Sequence, residues 1–235
     1  MSLSELRQQV WRANRDLVGA GLVTLSFGNA SGVDRDAGVL VIKPSGVPYD
    51  DLRPEDMVVV ALDDGTVVEG DLAPSSDTPT HLELYRRFVA IGGVVHTHSS
   101  FASAWAQAIR SIPSFGTTHA DHFAGAVPVT RPLADAEIDG DYERQTGVVI
   151  GDTIDALGID PLHMPATLVA SHGPFTWGSD AADAVTTAIA LEAVAALAHR
   201  TLALDPQVLP IGDALARRHF RRKHGPDAYY GQRKA

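Results

Sequence analysis

The N-terminal segment places its apolar side chains three and four residues apart, at Leu3, Leu6, Val10, Ala13 and Leu17. That spacing follows one face of an α-helix and predicts an amphipathic helix. Ser2 with Glu5 three positions on forms a capping box at its start, and Gly19 and Gly21 supply the stop. Apolar runs at Val39–Ile42 and Met57–Leu62 predict strands, the second entering an Asp63-Asp64-Gly65 turn before Val67–Val68. Thr78-Pro79 opens a helix, with proline at its first position, that carries Leu82, Tyr85 and Phe88 toward Gly92-Gly93. Further strands are predicted from Val94 to His98 and from Leu168 to Ser171, with extended segments at 116–121 and 126–130. Helices are predicted around Ala102–Ile109, Tyr142–Leu157, Ala181–Leu204 and Ala214–Lys223. Helices and strands interleave irregularly and without a repeat, which predicts a layered α/β fold on a mixed sheet rather than a barrel. The 235 residues are expected to form a single domain.

Charge narrows the partners. The 29 acidic residues against 19 basic ones give a formal charge of −10, which argues against nucleic acid or an anionic membrane. The absence of cysteine excludes disulfides, thiolate metal sites and a cysteine nucleophile, and suits a reducing cytosol. No apolar run is expected to reach the ~20 residues of a membrane span. Glu5, Arg7, Arg12, Arg15 and Asp16 do not fit a signal peptide, so a cytoplasmic protein is expected. Arg217, Arg218, Arg221, Arg222 and Lys223 form a basic run without an acid, read as solvated cations near a helix end.

Candidate chemistry concentrates in a few short motifs. His96-Thr97-His98 ends an apolar strand, where residues two apart share a face and both imidazoles can meet one cation. A pair of surface histidines is the plainer reading. His172 closes the Thr167–Ser171 strand and is a candidate third ligand, with Asp77 at a helix mouth as a fourth ligand or a supporting carboxylate. Asp77 reads equally as a helix N-terminal acid. Gly28-Asn29, Ser45-Gly46 and Ser75-Ser76 combine small residues with hydroxyl, amide and backbone donors suited to an anion, and the last pair precedes a helix. Lys43 adds a point charge beside the second loop. Taken singly, each loop reads as a turn. Asp121, after Thr117-Thr118-His119, is a candidate acid/base, or a capping aspartate. Tyr229-Tyr230 lies so near the C-terminus that it would fray unless the tail docks.

Together with Lys43-Pro44-Ser45-Gly46, the run Ser75–His81, Gly116–Asp121, Ser171–Phe175 and the final Tyr-Tyr-Gly-Gln, these motifs resemble the class II sugar-phosphate aldolase and epimerase family, and within it the ribulose-phosphate 4-epimerases, from Leu6 to Gln232. The resemblance implies a three-layer α/β/α fold with a mostly antiparallel sheet. It also implies a homotetramer with sites between subunits, the tail 224–235 docking on a neighbour. One divalent metal per subunit, zinc before manganese or cobalt, is implied at His96, His98 and His172 with Asp77. The implied substrate is a ketopentose phosphate held by Gly28, Asn29, Lys43, Ser45, Gly46, Ser75 and Ser76. The implied reaction is retro-aldol cleavage at C3–C4 and re-addition, interconverting L-ribulose 5-phosphate and D-xylulose 5-phosphate, with arabinose catabolism the default pathway and ascorbate-type catabolism the other. Asp121 and Tyr230 are the implied proton-transfer groups, supported by Thr117, Glu143 and His219. Related aldolases of the L-fuculose-1-phosphate type carry a glutamate where this chain has Asp77, which favours epimerisation over net cleavage. Aldolase chemistry, or a non-catalytic adducin-like interaction domain, is the alternative.

Overall fold

A computed structural model describes residues 2–225, 228 and 229. The first helix, α1 (Leu3–Gly19), starts on the expected capping box, with Ser2 and Glu5 each accepting from the other's backbone N–H. The chain then forms β1 (Asn29–Asp34), β2 (Val39–Ile42), β3 (Val58–Ala61), β4 (Val67–Glu69), α2 (Thr78–Arg87), β5 (Gly93–His96) and α3 (Ser100–Gln107). It continues through α4 (Thr117–Ala120), α5 (Asp135–Ile138), α6 (Tyr142–Leu157), β6 (Ala166–Leu168), β7 (Pro174–Gly178), α7 (Ala181–Leu204) and α8 (Asp213–His224).

Among the described residues the strands form one seven-stranded sheet in the order β4-β3-β2-β1-β5-β7-β6. Every neighbouring pair is antiparallel, and an isolated bridge between Val129 and Leu168 is parallel. Inside the exposed edge strand β4 the sheet is buried on both faces, so successive strand residues feed opposite cores. Leu40 and Ile42 join Val58, Val60 and Val94 beneath α2, α3 and α6. Val39 and Val41 join Val59 and Val95 beneath α1. This is the expected three-layer α/β/α arrangement.

Four expectations are corrected. Segment 116–121 is not extended but forms the helix α4, with Asp121 as its C-cap. The strand placed at Leu168–Ser171 lies earlier, at Ala166–Leu168, and turns tightly into β7. Strand β1 and strand β7 carried no sequence signal. Helix α7 is long and apolar enough by length and composition to cross a membrane, contrary to the expectation for any run in this chain. Here it is a core helix: Ala184, Val185 and Ala188 pack in one core and Leu191, Val194 and Ala198 in the other.

Topology places the site. Because the strands are antiparallel, the ends of β2 and β5 lie at the same end of the sheet as the starts of β1 and β7. Register makes this explicit: Asn29 pairs with His96, His96 with Phe175, and Ser31 with Ile42.

Candidate metal and anion site

His96 is the last residue of β5 and is 1% exposed, its ring stacked on Phe175 at 4.2 Å between centroids and 16° between planes. Its Nδ1 lies 3.0 Å from the Pro174 carbonyl, so the ring N–H donates there and Nε2 presents a lone pair. That Nε2 faces His98 Nε2 at 3.1 Å. His98 follows the end of β5 rather than lying within it. His172 sits in the β6–β7 turn, where Ser171 adopts a left-handed φ of 61° and Val169 N–H donates to Gly173 O. Strain of this kind persists only where surrounding contacts hold it. Here the Ser171 N–H donates to Ala106 O at 2.9 Å and the His172 N–H to Val169 O at 3.0 Å.

The three imidazoles offer ligand nitrogens that all lie within 4.8 Å of one another. Nitrogens sharing a tetrahedral cation at ~2.0–2.1 Å stand roughly 3.3 Å apart, so the set can hold a metal ion. Burial pushes His96 down to about 3 and lowers His172, an effect His98 reinforces, so both rings are neutral near pH 7 with lone pairs available. The donor set fits a metal.

Asp77 stands beside these rings in the same cleft but outside the ligand cluster. Its Oδ2 accepts from Asn29 Nδ2 at 2.7 Å, and Asn29 also donates to Ser75 Oγ at 3.0 Å. Burial raises the Asp77 carboxyl, but His96, His81 and the Asn29 amide outweigh it and hold the group below the usual carboxylate range.

The anion side of the cleft is built around Lys43. Sequence placed this lysine beside a turn-like loop; the structure buries it to 2% exposure. Its ammonium lies 4.8 Å from the Tyr49 ring centroid and donates to Pro44 O at 3.2 Å. No carboxylate forms an ion pair with it among the described residues, and burial lowers its pKa. A buried cation without a carboxylate partner favours an anion. Tyr49 Oη donates toward Phe27 O at 3.1 Å and Gly28 O at 2.8 Å, fixing the loop before β1. At Gly28, φ is +81° and a Cβ would stand 2.8 Å from His96 O, so only glycine fits.

A cleft of about 440 Å³ gathers Gly28, Asn29, Lys43, Ser45, Gly46, Ser75, Ser76, Asp77, His96, His98 and His172. It also holds Glu143, which sequence had grouped with the proton-transfer residues, and Tyr142, which sequence did not single out. Tyr142 Oη lies 3.3 Å from His172 Nδ1, and burial raises the phenol's pKa. Its signal was adjacency: Tyr142 opens a predicted helix directly before a candidate glutamate.

Asp121 forms a second cluster and does not line that cleft. Arg222 grips its two oxygens, Nε to Oδ1 at 2.9 Å and a terminal nitrogen to Oδ2 at 2.5 Å. His219 Nδ1 lies 3.1 Å from Oδ1, and Asp121 N–H donates to Thr117 O. Burial raises the Asp121 carboxyl, but the Arg222 and His219 contacts outweigh it and lower it overall. Arg222 is therefore not a solvated cation of the basic run, as sequence suggested, but half-buried and bidentate. Tyr230 lies outside the described residues.

With the geometry in hand, the class is plain: the chain belongs to the Class II Aldolase and Adducin N-terminal domain family, which matches residues 8–199. More particularly, it is 53% identical over 231 residues to the L-ribulose-5-phosphate 4-epimerase UlaF of Salmonella paratyphi C, covering 98% of this chain and 100% of the relative. The solved L-fuculose 1-phosphate aldolase shares the fold, with a TM-score of 0.78 at 21% identity over 94% of this chain and 97% of that one. YgbL of Klebsiella pneumoniae superposes with a TM-score of 0.73 at 25% identity, covering 93% of this chain and 99% of its own.

Proposed function

We propose that this chain is a divalent-metal-dependent epimerase interconverting L-ribulose 5-phosphate and D-xylulose 5-phosphate. The observation that carries the reading is the meeting, in one cleft, of three clustered imidazoles with a buried lysine that no carboxylate pairs among the described residues. The L-ribulose-5-phosphate 4-epimerases at 53% identity supply the substrate class. His96, His98 and His172 hold the cation, with Asp77 alongside; zinc suits three imidazoles best, and manganese or cobalt is accepted. When bound, the cation supplies Lewis-acid stabilisation of the negative charge that develops as the C3–C4 bond breaks.

Lys43, Ser45, Gly46, Ser75 and Ser76 anchor the phosphate, with Gly28 and Asn29 closing the cradle. Fixing that end keeps the cleaved halves in register for re-addition. Retro-aldol cleavage takes the proton from the C4 hydroxyl and leaves an enediolate of carbons one to three with glycolaldehyde phosphate. Re-addition on the opposite aldehyde face returns the proton to the new C4 oxygen. Asp121 and Tyr230 serve as the acid/base groups on the two faces, with His219 and Thr117 holding Asp121. Since Asp121 does not line the cleft of its own chain, the reading has a neighbouring copy deliver it, together with the tail 224–235. A cytoplasmic homotetramer built from one domain of 1–235, working in arabinose-type catabolism, is part of the same proposal.

Asp77 bears on the choice between epimerase and aldolase. A carboxylate tied to Asn29 at 2.7 Å is not free to swing onto the enediolate carbon and protonate it, so recombination outruns release. The test is to incubate the protein with L-ribulose 5-phosphate and quantify D-xylulose 5-phosphate beside free dihydroxyacetone and glycolaldehyde phosphate. Epimer should dominate turnover; a majority of cleavage products would make the chain an aldolase.

A further inference from the structure

Helix α6 begins at Tyr142, and this first residue projects into the cleft that holds the histidines. Its hydroxyl lies 3.3 Å from Nδ1 of His172, and the two rings run within 28° of parallel. Among the described residues no other hydrogen-bond partner of the His172 side chain is found. An imidazole ligates through one nitrogen, and the partner of the other nitrogen decides which one that is. His96 has its Nδ1 occupied by the rigid Pro174 carbonyl. His172 sits instead on a five-residue turn with strained backbone at Ser171, and its only fixed contact at Nδ1 is a side chain from a different layer of the fold.

We propose that Tyr142 is a positioning residue for the metal site: its phenolic oxygen accepts from His172 Nδ1–H and commits His172 to ligate through Nε2. This rests on the metal-site reading above. A protonated Nδ1 leaves Nε2 as the only nitrogen with a lone pair, which matches the tautomer that the Pro174 carbonyl imposes on His96. The phenol does two things an apolar ring cannot. It fixes the tautomer, and it holds the ring plane of a ligand carried on a turn.

The experiment is Tyr142→Phe, read by metal binding without turnover. Phenylalanine keeps the ring at a partly exposed site, and unfolding of the metal-free variant should match the parent. Zn²⁺ affinity is measured by competition with a chromogenic chelator, and the visible absorption of the Co²⁺ form is recorded beside it. Loss of a hydrogen bond to a ligating histidine typically weakens metal binding ~10–100-fold, and that loss with a changed Co²⁺ spectrum is expected. Tyr142→Gln, which can still accept at this position, should restore part of the affinity. Unchanged affinity and an unchanged spectrum in Tyr142→Phe would overturn the proposal while leaving the three-histidine site standing. Failure of the parent protein to bind stoichiometric metal would overturn both, and so separates the two readings.

Discussion

At the scale of single residues, the site works by leaving chosen groups without partners. Lys43 is buried with no carboxylate ion-paired to it among the described residues, and His96 is buried with its Nδ1 proton directed to the Pro174 carbonyl. Replacing His96 or His172 by Asn should remove most bound metal and most activity, because a three-ligand site tolerates ligand loss poorly; full occupancy by elemental analysis in both variants would contradict the assignment. Lys43→Met should raise the Michaelis constant for L-ribulose 5-phosphate strongly, with some loss of turnover, since anchoring energy is also used in the transition state. An unchanged Michaelis constant would place the phosphate elsewhere. These residues were legible in the sequence because each sits in a short motif whose spacing carries chemistry. Tyr142 and Arg222 were not, because a lone tyrosine at a helix start and one arginine in a basic run have no spacing signature. Their roles come from partners distant along the chain, 30 and 101 residues away.

At the scale of elements, the long helices announced themselves, while the short helices α4 and α5 and two strands did not. The three-and-four periodicity of α1 marks one buried face, and α7 and α6 follow the boundaries read from sequence. Strand β1 reads Asn-Ala-Ser-Gly-Val-Asp, almost without β-branched residues, yet lies at the centre of the sheet. Its polar Ser31 is affordable only because His81 Nδ1 and Tyr85 Oη meet its hydroxyl at 2.7 and 2.8 Å, contacts supplied by α2. Its Gly32 lets Leu6 and Val10 of α1 approach closely. Strand β7 hides behind a flanking Pro174 and Gly178 that read as loop punctuation. Helix α3 illustrates how elements lock together: Glu192 on α7 accepts from the Phe101 and Ala102 N–H groups at 2.8 and 2.9 Å, capping α3 from outside. Glu192→Ala should cost about 1–3 kcal/mol, read as a shift in urea midpoint, because charged hydrogen bonds to orphaned helix donors are lost. A midpoint within error of the parent would show that water replaces the cap.

At the scale of the whole molecule, buried histidines make stability depend on pH. His81, His96 and His119 are pushed down by burial to about 4, 3 and 4. Between the ordinary imidazole value of about 6.5 and those lowered values, the unfolded chain binds protons that the fold does not. Stability of the metal-free protein should therefore fall as pH drops from 6.5 toward 4, seen as a declining thermal midpoint; a flat profile across that window would contradict the assignment of neutral buried rings. Assembly makes a separate prediction. If a neighbour supplies Asp121, inactive Asp121→Asn and inactive His96→Asn subunits should regain activity on mixing and exchange, at about a quarter of the sites in random oligomers. No recovery despite demonstrated exchange would place Asp121 in its own chain's site or outside catalysis.

Sugar-phosphate epimerisation by this chain is expected to depend on a cation held by the clustered histidines. That dependence is tested most directly by stripping the protein of metal, verifying its removal by elemental analysis, and following D-xylulose 5-phosphate formation from L-ribulose 5-phosphate in a coupled assay. Negligible activity is expected in the stripped protein, with recovery on adding one equivalent of Zn²⁺, Co²⁺ or Mn²⁺ per chain. Full epimerase activity in verified metal-free protein, or none after stoichiometric metal binding, would contradict that dependence.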